Sequence, residues 1–208
     1  MRWFLGAIPG VLSLLVLNAC TGMDAAECRT ADWRAVGYED GVQGRSPAHL
    51  GERRTDCAGH GVTPDFQAYM DGHSQGIALF CRPQNGYQLG NRGYRYDGVC
   101  PAGLEDTFLA AYADGYGLYQ RRATINRLSS QIAHKHKRSK AIERSMAEKT
   151  TALVSPQTSP SQRLTIGVDL KQLTEERIAI ERTIGELESD LAQAELDYEI
   201  YRDNLARR

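Results

Sequence analysis

Three carboxylates recur in one setting. Asp40, Asp71 and Asp114 are each the third residue of a Tyr-x-Asp-Gly tetrapeptide, at Tyr38–Gly41, Tyr69–Gly72 and Tyr112–Gly115. If the three converged beside their tyrosines, they could exchange protons with a substrate, as paired carboxylates do on a glycan. Helical geometry argues against this, because it places each aspartate off the face that its tyrosine and glycine share. The remaining candidates for chemistry are scattered. His49, His60 and His73 follow no ligand or triad spacing, and His134 and His136 point to different faces of a helix. "GNRG" at 90–93 lacks the strand-loop-helix context of a dinucleotide loop, and no Gly-x-Ser-x-Gly or His-Glu-x-x-His occurs. No catalytic residue, metal or cofactor is assigned.

The elements that carry the tetrapeptides explain them better. In "TPDFQAYMDGHSQGIALFC", Phe66, Tyr69, His73, Ile77 and Phe80 recur at threes and fours, which predicts a helix from about Asp65 to Phe80. Gly72 and Gly76 then fall inside a helix, where each costs about 1 kcal/mol relative to alanine. Close approach of another backbone would offset that cost. The first copy offers Gly37, Gly41 and Gly44 and stops before Pro47, while the third leads from Phe108 through Tyr112 and Gly115 into a longer helix. Tyr38, Gly41, Tyr69, Gly72, Gly76, Tyr112 and Gly115 are therefore expected to be docking positions. Three helices would meet at glycine notches filled by tyrosine rings and Trp33.

The cysteines point to an oxidising compartment. "MRWFLGAIPGVLSLLVLNAC" has one early charge, Arg2, then an apolar run to Leu17 and small residues before Cys20. That is the order of an export signal, too short in its apolar core for a confident membrane span. "LNAC" resembles a bacterial lipobox, which implies a signal at 1–19, lipid on Cys20 and a tether at 20–27. By resemblance to bacterial sorting rules, Thr21 after that cysteine implies the outer membrane, facing the periplasm. Anchoring at the inner membrane and secretion are the alternatives. Cys28, Cys57, Cys81 and Cys100 remain, an even number that allows three pairings. The sequential pairing, Cys28 with Cys57 and Cys81 with Cys100, is expected, each bridge contributing about 3 kcal/mol. A zinc site competes, without a Cys-x-x-Cys pair to support it.

Beyond Tyr119 glycine nearly vanishes and the chain follows helical rules. Positions 170, 173, 177, 180, 184, 187, 191, 194, 198, 201 and 205 are Leu, Leu, Arg, Ile, Ile, Leu, Leu, Ala, Tyr, Tyr and Leu. One arginine in a seam this long is a strong coiled-coil pattern. A weaker seam runs through Leu118, Ile125, Leu128, Ile132, Ile142 and Met146, and Pro156 and Pro160 interrupt the helix at 150–162. Residues 121–149 are strongly basic and 163–208 acidic, so an antiparallel hairpin over 120–208 is expected. Equal distances from the turn would bring Tyr198, Tyr201 and Leu205 beside Phe108, Ala111 and Gly115. An intermolecular coiled coil is the alternative. The total charge of −1 decides nothing, and the basic run "HKHKRSK" at 134–140 is expected to be a solvated helix face. Contact with anionic lipid is less favoured, and no nucleic-acid partner is expected.

The predicted architecture is mainly α: a cystine-linked Gly/Tyr-rich helical domain over 28–119, with a Gly/Tyr-rich turn or short hairpin, then the helical hairpin. The ordered set "DWRAVGYEDGVQGR", "HGVTPD", "YMDGHSQGIALFC", "NGYQLGNRGYRYDGVC" and "FLAAYADG" resembles domain-of-unknown-function 2799 over about residues 28–119. That resemblance implies an envelope lipoprotein facing the periplasm and supplies no activity. A membrane-tethered structural or adaptor protein, engaging a partner or another copy through the hairpin, is the expected function. A glycan-binding module using Trp33, Tyr87, Tyr94 and Tyr96 is the alternative, with Tyr94 and Tyr96 on one side of a strand. A cell-wall-acting enzyme is less favoured.

Overall fold

A computed structural model of the protein describes residues 22–207. The expected signal at 1–19 and the cysteine Cys20 lie outside the described residues. The described chain is helical, with no strand: α1 (Ala25–Thr30), α2 (Trp33–Val42), α3 (His49–Ala58), α4 (Phe66–Phe80), α5 (Pro83–Asn91), α6 (Ala102–Val154) and α7 (Pro160–Ala206). No described helix is long and apolar enough to cross a membrane. The chain divides into two compact units, one ending at Leu79 and one beginning at Phe80. The composition shift near Tyr119 marks no break in the backbone, because α6 runs through it.

The first unit begins with well-capped helices. Asp24 closes a capping box with Glu27 at the start of α1, and the Asp32 side chain accepts from the Arg34 and Ala35 amides at the start of α2. Cys28, Trp33, Leu50, Cys57 and Tyr69 are buried together, with Cys28 bonded to Cys57. Helices α2 and α4 meet backbone to backbone. A methyl group placed on Gly37, Gly41, Gly72 or Gly76 would lie within 3.0 Å of backbone atoms of the facing helix. Gly37 faces Tyr69 and His73, Gly41 faces His73 and Ile77, Gly72 faces Arg34 and Tyr38, and Gly76 faces Tyr38 and Val42. Only residues without a Cβ allow this approach, which outweighs their poor helix propensity.

The second unit repeats the device. Gly86 and Gly90 of α5 face the backbone of Phe108 and of Tyr112 and Tyr116 on α6, and Gly115 faces Tyr87 and Asn91 in return. The sequence-based expectation differs here. Residues 83–91 form a helix with Pro83 in its first turn, where a Gly/Tyr-rich turn or short hairpin was expected, and Tyr94 and Tyr96 lie on no strand. Two glycines in nine residues hide the helix, since local propensity is low and tertiary packing supplies the stability. Cys81 is bonded to Cys100, which closes the excursion between α4 and α6. All four cysteines among the described residues are thus in disulfides, which removes the zinc reading for them.

The two pairs correspond residue by residue. Gly37-Tyr38-x-x-Gly41-x-x-Gly44 matches Gly86-Tyr87-x-x-Gly90-x-x-Gly93. Both helices end in one kind of turn: Gly44 and Arg45 donate to Gly41 and Asp40 carbonyls, as Gly93 and Tyr94 donate to Gly90 and Leu89. Gly44 and Gly93 hold φ of 71° and 75°, a conformation that glycine adopts without strain. On the partner helices Tyr69, His73, Ile77 and Gly76 take the places of Phe108, Tyr112, Tyr116 and Gly115. The Tyr-x-Asp-Gly copies are therefore out of phase: Tyr112 stands where His73 does, one turn from the place of Tyr69. Within each unit two helices pair in this way, and facing backbone, not tyrosine rings, lies against Gly37, Gly41, Gly72 and Gly76 and against Gly86, Gly90 and Gly115.

The rest of the second unit is the antiparallel hairpin of α6 and α7. Every α7 seam position from Leu170 to Leu205 is buried or partly buried, and Ile142, Ile180 and Ile184 form its core. Basic side chains of α6 reach acidic ones of α7, from Arg121 to Asp197 at 2.9 Å and from Arg138 to Glu176 through two hydrogen bonds of 2.8 and 3.0 Å. The turn is closed by Ser159, which caps α7 in a capping box with Gln162 ahead of Pro160. Arg163 donates to the carbonyls of Leu153, Ser155 and Thr158. At the far end Tyr201 packs its ring on Gly117 and under the Arg121 guanidinium, 3.9 Å from the ring centre.

Candidate functional site

Of the three aspartates, Asp40 alone is buried, 1% exposed. It belongs to α2, its partners to α3, α4 and the turn after α2. Tyr69 donates its hydroxyl to Oδ2 at 2.9 Å, Arg53 donates Nη2 to Oδ1 at 2.9 Å and Nε to Oδ2 at 3.3 Å, and Arg45 donates Nη1 to Oδ1 at 3.2 Å. Arg45 also reaches His49 Nε2 at 2.9 Å, and His49 Nδ1 lies 2.9 Å from Glu52. The Arg45 carbonyl meets His73 Nε2 at 2.8 Å.

This cluster is built to hold helices. Burial works to raise the Asp40 pKa, but the hydrogen bonds from Arg53 and Tyr69 and the Arg53 charge outweigh it and hold the carboxyl below its ordinary value. Burial first, and then the neighbouring carboxylate, push the Tyr69 hydroxyl well above its ordinary range. The two shifts part in the direction that fixes a charged acceptor and a neutral donor at neutral pH. Proton exchange near neutrality needs the opposite arrangement. Beside the cluster is a cleft of ≈ 640 Å³ lined by Arg45, His49, Glu52, Arg53 and Asp56, with Gly22 and Met23 at its edge. Its charged groups are largely engaged with one another or with backbone, as Asp56 is with the Met23 amide at 3.3 Å.

Asp71 is exposed and accepts from Gln67 at 2.8 Å, and Asp114 lies in the second unit, its carbonyl accepting from Tyr201 at 3.4 Å. The aspartates have different partners, and among the described residues no group of three His, Cys, Asp or Glu side chains is placed to hold a metal ion. The aromatic surface fares similarly. Trp33 is in the core of the first unit, and Tyr96 packs its ring on Phe108 with centroids 4.9 Å apart. Tyr96 also accepts from the Cys100 amide and donates to Glu105, and burial followed by Glu105 raises its pKa. Of the four rings proposed for sugar stacking, Tyr94 is exposed and Tyr87 partly buried.

What remains is a surface that the seam pattern did not reveal. Leu164, Val168, Ile178, Leu196 and Ile200 of α7 are 76%, 57%, 50%, 53% and 51% exposed. With Leu170 as a heptad a position, they fall at b, f, b, f and c, opposite the a/d seam that α6 fills. Outer positions of a two-helix hairpin are ordinarily polar, so five aliphatic side chains on one such face require an explanation. The signal was present in the sequence, as a second apolar stripe displaced from the first.

Residues 32–117 match the model of a family described as protein of unknown function (DUF2799). The match begins at the α2 cap and ends at Gly117, enclosing both glycine-paired helix pairs and leaving out nearly all of the hairpin. No curated protein and no solved structure matches the chain.

Proposed function

We propose that this chain, whose residues 32–117 form a DUF2799 domain, is a membrane-tethered structural or adaptor protein of the bacterial envelope that engages a protein partner through its helical hairpin. The observation that carries the reading is the outer face of α7. The hairpin satisfies its own seam, yet five aliphatic side chains stand exposed on the opposite side, a surface suited to a partner helix. The export signal and Cys20 of the sequence support an outer-membrane anchor facing the periplasm. Two disulfides support an oxidising compartment. The buried, fully partnered Asp40 supports a domain used as a rigid base.

A photo-activated cross-linking residue at Ile178 tests the reading in the native cell. Cross-linked product of defined mass is expected from Ile178 and Ile200, and none from Glu188, which lies off the stripe. Absence of any product at all outer-face positions would overturn it.

A further inference from the structure

Four of the five exposed aliphatic side chains on the stripe are placed mirror-symmetrically. Leu164 and Val168 stand 18 and 14 positions before Arg182; Ile200 and Leu196 stand 18 and 14 positions after it. Between them the stripe is polar except at Ile178, whose mirror position holds Glu186, with Lys171 and Glu175 on one side and Ser189 and Gln193 on the other, all exposed. At the helical rise the apolar ends lie about 27 Å from the centre.

A pattern that reads the same in both directions is what a two-fold interface needs, since each residue of such an interface meets its mirror mate on the other copy. We infer that the outer face of α7 is a homodimer interface, in which two copies pair their α7 helices antiparallel about an axis at Arg182. This rests on the proposed use of the hairpin as an interaction surface and names its partner as a second copy of the chain. In this register Leu164 meets Ile200 of the other copy and Val168 meets Leu196, at both ends. Arg182 lies one turn from Glu186 of the other copy, so two symmetric ion pairs flank the axis and offset the approach of the two arginines. Ile178 packs on the aliphatic stems of those pairs. The α6 helix occupies the opposite face of α7 and leaves this one free.

Sedimentation velocity on residues 22–208 at about 100 µM, a concentration chosen to populate a weak dimer, reads the result directly. A dimer is expected. Leu164→Glu with Val168→Glu gives monomer, and Leu196→Lys with Ile200→Lys gives monomer, both with unchanged circular dichroism because the side chains are exposed. An equimolar mixture of the two variants restores a dimer, since acidic ends then meet basic ends while the other pair of ends stays apolar. Arg182→Cys forms a disulfide-linked dimer on oxidation, and Lys171→Cys does not. A monomeric wild-type chain, or a dimer indifferent to both variants, overturns the inference. Failure of the mixture to reassociate overturns the antiparallel register. In either case an in-cell cross-link from Ile178 to a different protein would leave the proposed use of the hairpin standing, which separates the two failures.

Discussion

The two glycine-paired helix pairs share a backbone and differ in what surrounds it. In the first, the place after Gly37-Tyr38-x is taken by Asp40, and in the second by Leu89. Tyr69 stands opposite Phe108, and His73 opposite Tyr112. One hydrogen bond survives the change of side chain: His73 meets the Arg45 carbonyl at 2.8 Å, and Tyr112 donates to the corresponding Tyr94 carbonyl at 2.9 Å. Elsewhere the first pair is tied by an ionic cluster that recruits Arg53 from α3, and the second by a run of rings from Phe80 through Tyr96, Phe108, Tyr112 and Tyr116 to Tyr119. Close contact of glycines with the facing helix backbone is thus the constant of the architecture, while either charge or aromatic packing can complete it.

The largest expected effect comes from breaking the constant. Gly72→Val in the first unit or Gly115→Val in the second forces a branched side chain into facing backbone and should cost about 3 kcal/mol or more, seen as loss of cooperative thermal unfolding. Asp40→Ala attacks what is particular to the first pair. It leaves Arg53 and Tyr69 without their acceptor and should destabilise the protein by about 3 kcal/mol in urea titration, whereas Leu89→Ala at the matching position costs about 1–2 kcal/mol.

The same contrast has a pH signature. The folded pKa of Asp40 is depressed, so its contribution is complete above the unfolded value near pH 4 and is lost as pH falls through the folded value. Stability should therefore fall in acid below about pH 4, and Asp40→Asn should flatten part of that limb. Fitting of urea midpoints between about pH 2 and 6 would detect it; an identical slope in the variant would remove the ionic cluster from the account. The smallest effect runs the other way. Gly167 in α7 has open space where a side chain would go, so Gly167→Ala should stabilise by about 1 kcal/mol, measured as a higher melting temperature.

These contrasts also show what the sequence disclosed. The long seam from Leu170 to Leu205 was legible because eleven positions repeat at one period, and the pairing of basic with acidic helix followed from charge. The glycines of α4 were legible as a close approach, since Gly72 and Gly76 interrupt a clear apolar period. Helix α5 was not, because Gly86 and Gly90 erase the local signal and the compensating contact lies on α6. The partners of Asp40 were not legible either. Helical spacing correctly puts it off the Tyr38–Gly41 face, but nothing local reveals that α3 carries Arg53 to meet it. The outer stripe of α7 was hidden by the stronger seam beside it.

If the hairpin is an interaction surface as proposed, the outer face of α7 is covered in the working protein. Cysteine accessibility tests it most directly. Leu196→Cys and Glu188→Cys would be compared for reaction with a membrane-impermeant maleimide, in the native envelope and in the purified chain diluted to nanomolar concentration. Both positions are exposed in the isolated chain. Leu196→Cys is expected to react roughly ten-fold more slowly in the envelope, corresponding to about 1.4 kcal/mol of protection, while Glu188→Cys keeps its rate. Equal rates for Leu196→Cys in both settings would contradict it.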